Sequence, residues 1–147
     1  CREAIQCAAL NAGLAMGTTQ TALAHSISYP FTSRFGVPHG IACSFTLPEV
    51  SRYNLVEDAD RLIPIAEGLG CATDEIPEFL EAWFEQLGIG EELARHVSPE
   101  VTDQFGDNLI TRARAANNIR EIDGQGARNL ARAALDRFCP VRSREIA

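Results

Sequence analysis

Gly13–Val50, GLAMGTTQTALAHSISYPFTSRFGVPHGIACSFTLPEV, is the stretch that decides how the remainder of the chain folds. It holds two of the three histidines, His25 and His39, and very little charge. Across residues 1–50 only Arg2, Glu3, Arg34 and Glu49 are charged, so 29 of the 33 charged side chains fall in the other 97 residues. That partition predicts a buried first third covered by amphipathic later segments. Histidines kept inside an apolar stretch mark where chemistry is to be sought.

Outward from that stretch the periodicity is helical throughout. Residues 2–16 place Ile5, Ala8, Ala9, Ala12 and Ala15 at helical spacing, and Gly13 and Gly17 allow a neighbour to pack closely. A second helix is expected from Thr18 through His25 to Pro30 or Phe31, where the proline kinks or ends it. Pro38 opens a third, running through Ala42, Phe45 and Leu47 to Tyr53 and bent at Pro48. Further on, Leu62, Ile65, Ala66 and Leu69 form one face that ends at Gly70. Thr73 caps a helix whose Phe79, Leu80, Trp83, Phe84 and Leu87 share a face up to Gly88. Ser98-Pro99 opens another with Val101, Phe105 and Leu109, and Asp123 caps a last one with Ala127, Leu130, Ala131, Ala134, Leu135 and Phe138 inward. No segment alternates with a period of two and no repeat recurs. The expectation is an all-α fold, a single helical domain over residues 1–147.

Composition narrows the function classes. A net charge of −7 leaves no basic footprint for nucleic acid or an anionic membrane. The apolar run Ile5–Ala24 is interrupted by Gln6, Asn11, Thr18, Thr19, Gln20 and Thr21, which argues against a membrane span, and no secretory leader pattern opens the chain. Five cysteines, Cys1, Cys7, Cys43, Cys71 and Cys139, have no CxxC spacing and read as thiols of a reducing, cytoplasmic setting. The chain begins at Cys1 already inside a helical pattern, so it is expected to be part of something longer. A face then left uncovered would be apolar and would drive self-association into a homo-oligomer.

His25 and His39 stand fourteen residues apart, too far to share one helix face as an i, i+4 pair does. Co-ligation needs two helices to meet, and Phe35-Gly36 permits that hairpin. Imidazole suits borderline divalent ions such as Fe²⁺ or Zn²⁺, but two histidines do not complete a site. On spacing alone, two core histidines hydrogen-bonded to backbone are the better account.

The run AHSISYPFTSRFGVPHG, with Leu47-Pro48-Glu49-Val50 downstream, resembles the signature of the iron-containing (group III) alcohol dehydrogenases, A-H-x-x-x-H-x-L/F-x-x-x-x-x-x-P-H-G followed by L-P-x-V. The resemblance implies that His25 and His39 are metal ligands, for Fe²⁺ and in some members Zn²⁺. It implies hydride transfer between an alcohol or aldehyde and NAD or NADP, with the metal polarising the substrate oxygen. By the same alignment Met16 falls where the family lines its substrate pocket, although a lone Met in an apolar helix is more often core, and Asn117-Asn118-Ile119-Arg120 resembles the late Asn-Pro-Arg loop with Ile119 in place of proline. Arg34, the one cation inside the signature, reads first as a solvated loop arginine and second as a clamp for an anionic substrate group. Arg112, Arg114 and Arg120 flank Asn117 as a second candidate anion contact.

Two departures qualify the resemblance. Tyr29 stands where the family carries a second histidine credited with proton relay. A tyrosine at i+4 from His25 shares its face and can still reach a bound oxygen, though a phenol with pKa near ~10 exchanges protons less readily than an imidazole near ~6.5. Upstream of Ala24 there is neither Asp nor His, where the family completes its ligand set, and no Gly-rich dinucleotide fingerprint occurs. The implied assignment is the C-terminal helical, metal-binding part of a two-domain dehydrogenase, inactive as an isolated piece. The alternative is a non-catalytic helical interaction or regulatory domain with structural histidines.

Overall fold

The computed structural model describes residues 1–106, 109–111 and 115–139. In chain order the α-helices are α1 (Arg2–Thr18), α2 (Leu23–Phe35), α3 (His39–Ser44), α4 (Leu47–Leu55), α5 (Ile63–Leu69), α6 (Ile76–Gln86), α7 (Ile89–Leu93) and α8 (Gly124–Phe138). Short 3₁₀ turns at Asp60–Leu62, Thr73–Glu75 and Pro99–Gln104 link them, and no strand occurs among the described residues. The all-α expectation holds.

The core is built around α2. Leu23, Ile27 and Phe31 recur at i, i+4 and i+8 and are wholly buried. Phe31 packs against Phe45 at 5.0 Å and Phe105 at 5.2 Å between ring centroids. Leu93 at the end of α7 and Val97 just beyond it join this core, as do Ala127, Ala131, Ala134 and Leu135 of α8. Leu62, Ala66 and Ile76 form a second, smaller cluster.

Pro30 neither ends nor visibly breaks α2, which continues five residues beyond it to Phe35. The core face Leu23/Ile27/Phe31 holds the helix together across the lost N–H, so tertiary burial outweighs the local penalty. The expected long third helix is instead two helices. Pro48 lies in the first turn of α4, where its missing donor costs nothing, and the chain turns between Ser44 and Leu47. Thr73 does not cap; the Ala72 N–H is met by the Glu75 carboxylate. Asp123 does cap α8, accepting from the Gly126 N–H at 2.7 Å.

The largest correction concerns the N-terminus. Every residue from 1 to 20 is exposed, including Ile5, Leu10, Leu14 and Met16, each more than half accessible. Low charge marks α1 as a surface that wants covering, but none of its residues is buried by the described residues of the chain. The aromatic helix α6 is also only partly inward: Phe84 is buried, whereas Phe79, Trp83 and Leu87 are exposed.

A cluster of charges joins three helices. Arg52 on α4 bonds Glu49, Glu78 and Glu81, and Arg137 on α8 bonds Glu49 and Glu81. Glu49 belongs to the Leu47-Pro48-Glu49-Val50 signature, so part of that motif is structural. The Asn117–Arg120 segment is pinned to α4 by a reciprocal amide pair, Asn118 to Asn54, and by the Arg120 guanidinium over the Tyr53 ring at 4.3 Å. Arg112 and Arg114 lie outside the described residues.

Candidate metal centre

α2 and α3 form the hairpin on which the candidate site sits. α2 stops at Gly36, whose left-handed backbone (φ +69) lets its N–H return to the Thr32 carbonyl. The buried Val37 donates back to Phe31, and Pro38 then leads directly into α3.

This short connector sets two polar stripes against each other. His25, Tyr29 and Thr32 recur at i, i+4 and i+7 on α2, on the face away from Leu23, Ile27 and Phe31. His39 and Cys43 recur at i, i+4 on α3. The imidazoles of His25 and His39 meet edge to face, 4.9 Å between centroids. Tyr29 Oη lies 3.2 Å from His25 Nε2, and Thr32 Oγ1 lies 3.3 Å from His39 Nδ1. Cys43 Sγ stands 3.4 Å from His25 Nδ1 and 3.6 Å from His39 Nε2. One donor atom from each of His25, His39 and Cys43 lies within 4.8 Å of the others. The arrangement is half-open: His25 and Cys43 are partly buried, His39 and Tyr29 exposed. Burial pushes the Cys43 thiol above its ordinary pKa, countered in part by a hydrogen bond with Ser28. Ser28 also donates to the His25 carbonyl at 2.7 Å, tying the backbone beneath the ring.

The structure thus brings together His25, His39 and Tyr29, and it adds Cys43, which a search for CxxC pairs passes over. The signal that finds it is the i, i+4 spacing from His39 on a proline-led helix. Arg34 is not brought in. It lies nine residues along α2 from His25, about 13.5 Å by helical rise, with its guanidinium over the Phe105 ring. Met16 is on α1, which does not pack on α2 or α3 as they pack on each other. His96 pairs with Glu92 at 3.3 Å, away from the cluster. An open cleft of about 960 Å³ bounded by Tyr53, Glu121 and the first turn of α8 contains none of the cluster residues.

Comparison with known sequences identifies a family. A sequence model of the Fe-containing alcohol dehydrogenase family, C-terminal part, matches residues 1–135. Among curated proteins, the NADP-dependent alcohol dehydrogenase 3 of Entamoeba histolytica is 34% identical over 90 residues, 58% of this chain and 23% of that protein. The 1,3-propanediol dehydrogenase of Citrobacter freundii is 34% identical over 73 residues, 50% of this chain and 19% of that protein. The phosphonoacetaldehyde reductase of Streptomyces viridochromogenes is 49% identical over 53 residues, 36% of this chain and 13% of that protein. The chain therefore spans less than a quarter of the length of these relatives. No solved structure matches it. Among the described residues no helix is long and apolar enough to cross a membrane.

Proposed function

Because this chain belongs to the Fe-containing alcohol dehydrogenase family, matched over residues 1–135, we propose that it supplies the helical half of the metal site of an NAD- or NADP-dependent alcohol dehydrogenase or aldehyde reductase. The observation that carries this reading is the convergence of His25 and His39 across the α2–α3 hairpin. Imidazole nitrogens from two neighbouring helices are donors that suit a divalent ion of the Fe²⁺ or Zn²⁺ kind. Lewis acidity toward an alcohol or carbonyl oxygen is what such an ion adds when bound.

The residues of the chain have separable tasks. His25 and His39 hold the ion, and Thr32 fixes the ring of His39 through Nδ1. Tyr29, with its hydroxyl beside His25 Nε2, holds or passes a proton at Oη between the substrate oxygen and solvent. The nicotinamide nucleotide is bound by residues outside these 147. The substrate is a small alcohol or aldehyde, and the identity to a phosphonoacetaldehyde reductase supports an anionic aldehyde among the candidates.

The test uses the whole protein that carries this chain. Metal content and NAD(P)H oxidation are followed with neutral and anionic aldehydes, for wild type and for His25→Ala, His39→Ala. Loss of metal together with turnover is expected. Full turnover and undiminished metal in the double variant would overturn the reading and favour structural histidines.

A further inference from the structure

Cys43 lies against both rings of the candidate site, and the two contacts differ in kind. Its Sγ is 3.6 Å from Nε2 and 3.9 Å from Nδ1 of His39, nearly equidistant, so it follows neither in-plane direction along which that ring donates or accepts. Toward His25 it faces Nδ1, at 3.4 Å, while Nε2 of the same ring lies 3.2 Å from the hydroxyl of the exposed Tyr29. Ser28 holds the sulfur in that place. Wholly buried, its hydroxyl is hydrogen-bonded both to the Cys43 thiol and to the His25 carbonyl, the latter at 2.7 Å. His39 is likewise met at Nδ1, by Thr32 Oγ1 at 3.3 Å. A neutral imidazole that donates through Nδ1 carries its lone pair on Nε2. In the other tautomer of His25 the lone pair would face the thiol and the N–H would point to the open side, so the ring could not ligate there without first moving its proton.

We propose that Cys43 is a positioning residue: its sulfur accepts the Nδ1–H of His25, and this fixes the ring and its tautomer so that Nε2 carries the lone pair offered to the ion. Cys43 does for His25 what Thr32 does for His39, each acting from the neighbouring helix of the hairpin on the nitrogen that is not to ligate. The inference rests on the metal reading of His25 and His39, because a chosen tautomer matters only if the ring is a ligand.

The experiment takes the whole protein that carries this chain, stripped by chelator, and titrates it with Zn²⁺ alone. Cys43→Ala should bind Zn²⁺ about 10- to 100-fold more weakly than wild type, and Cys43→Ser, which keeps an acceptor at that place, should recover most of the loss. Cys43→Ala binding as tightly as wild type, or Cys43→Ser binding as weakly as Cys43→Ala, overturns the positioning role and leaves the histidine reading standing. No Zn²⁺ binding in wild type, or binding undiminished in His25→Ala, His39→Ala, sinks both. Nitrogen NMR of ring-labelled histidines in metal-free wild type decides even where a Cys43 variant does not fold. On the alkaline plateau of its signals His25, assigned by its loss in His25→Ala, should carry its proton on Nδ1; a proton on Nε2 overturns the proposal.

Discussion

Gly90→Ala is the sharpest test of how the site is held, because its effect can be worked from the coordinates. Gly90 lies on α7 against the end of α8, and a Cβ built there would stand 2.3 Å from the Phe138 carbonyl oxygen and 3.2 Å from its carbon. Ordinary contact begins at 3.4 Å, so the last turn of α8 must withdraw by about 1 Å. A carbonyl within the helix backbone cannot rotate aside as a side chain does. The upper end of the overpacking range, about 3 kcal/mol, therefore applies, and the helix-propensity gain of alanine over glycine, about 1 kcal/mol, returns part of it. A net loss near 2 kcal/mol lowers Tm by roughly 4–8 °C in a chain of this size. Gly68→Ala is the control: within α5, with nothing inside 4 Å of its Cβ, it should be neutral or raise stability by up to about 1 kcal/mol. Thermal and urea unfolding of the two variants beside wild type decides. Equal midpoints for Gly90→Ala and Gly68→Ala would refute the claim that α7 and α8 touch through bare backbone.

Asn118→Ala should cost about 1–3 kcal/mol in urea unfolding, because it leaves the buried Asn54 amide without its reciprocal partner; an unchanged midpoint would show that the Asn117–Arg120 segment is not anchored there. The hydrogen bond from Arg52 holds the Glu78 carboxyl below its ordinary 4.5. Its folded pKa is thus lower than its unfolded one, so its stabilisation is complete above pH 4.5 and lost as pH falls through the lowered value. Glu78→Gln should accordingly lower stability at neutral pH and flatten the acid limb of the profile, and parallel acid limbs in variant and wild type would contradict this. The exposed apolar residues of α1, Ile5, Leu10, Leu14 and Met16, should make the chain self-associate as concentration rises; light scattering from a stable monomer at high concentration would count against it.

Several helix ends are legible in the sequence because caps and breakers are local, but α7 is not foreseen and the helix expected from Ser98-Pro99 is a 3₁₀ turn. Asp123 announces α8, and Gly36, Gly70 and Gly88 close their elements in the left-handed conformation. What local rules misjudge is settled by packing. Pro30 looks like a helix end until Leu23, Ile27 and Phe31 are seen buried together on one face. Burial is a property of pairs, so low charge identifies α1 as apolar without saying what it lies against. Likewise Phe79, Trp83 and Leu87 share a period with Phe84 but face outward. At the site, His25, His39 and Tyr29 are legible through the resemblance, since spacing alone leaves two core histidines as the better account. Cys43 is not, because the search for metal cysteines looks for pairs of cysteines and this one pairs with a histidine a turn away.

The two faces of α2 explain why a site on so short a hairpin can keep its geometry. His25, Tyr29 and Thr32 project from one side, and Leu23, Ile27 and Phe31 are sunk in the core on the other. Turning α2 by a single residue, 100° about its axis, would swing the histidine stripe toward hydrocarbon and lift three core side chains into water. Each of those side chains is worth about 1.5–3 kcal/mol when buried, so the orientation of the donors is held by the same interactions that hold the domain together. α3 is fixed in turn by Phe45, which closes on Phe31 at 5.0 Å and lies two residues beyond Cys43. Substitutions at Phe31 or Phe45 should therefore loosen metal affinity and stability together, whereas those at Thr32 should loosen affinity alone.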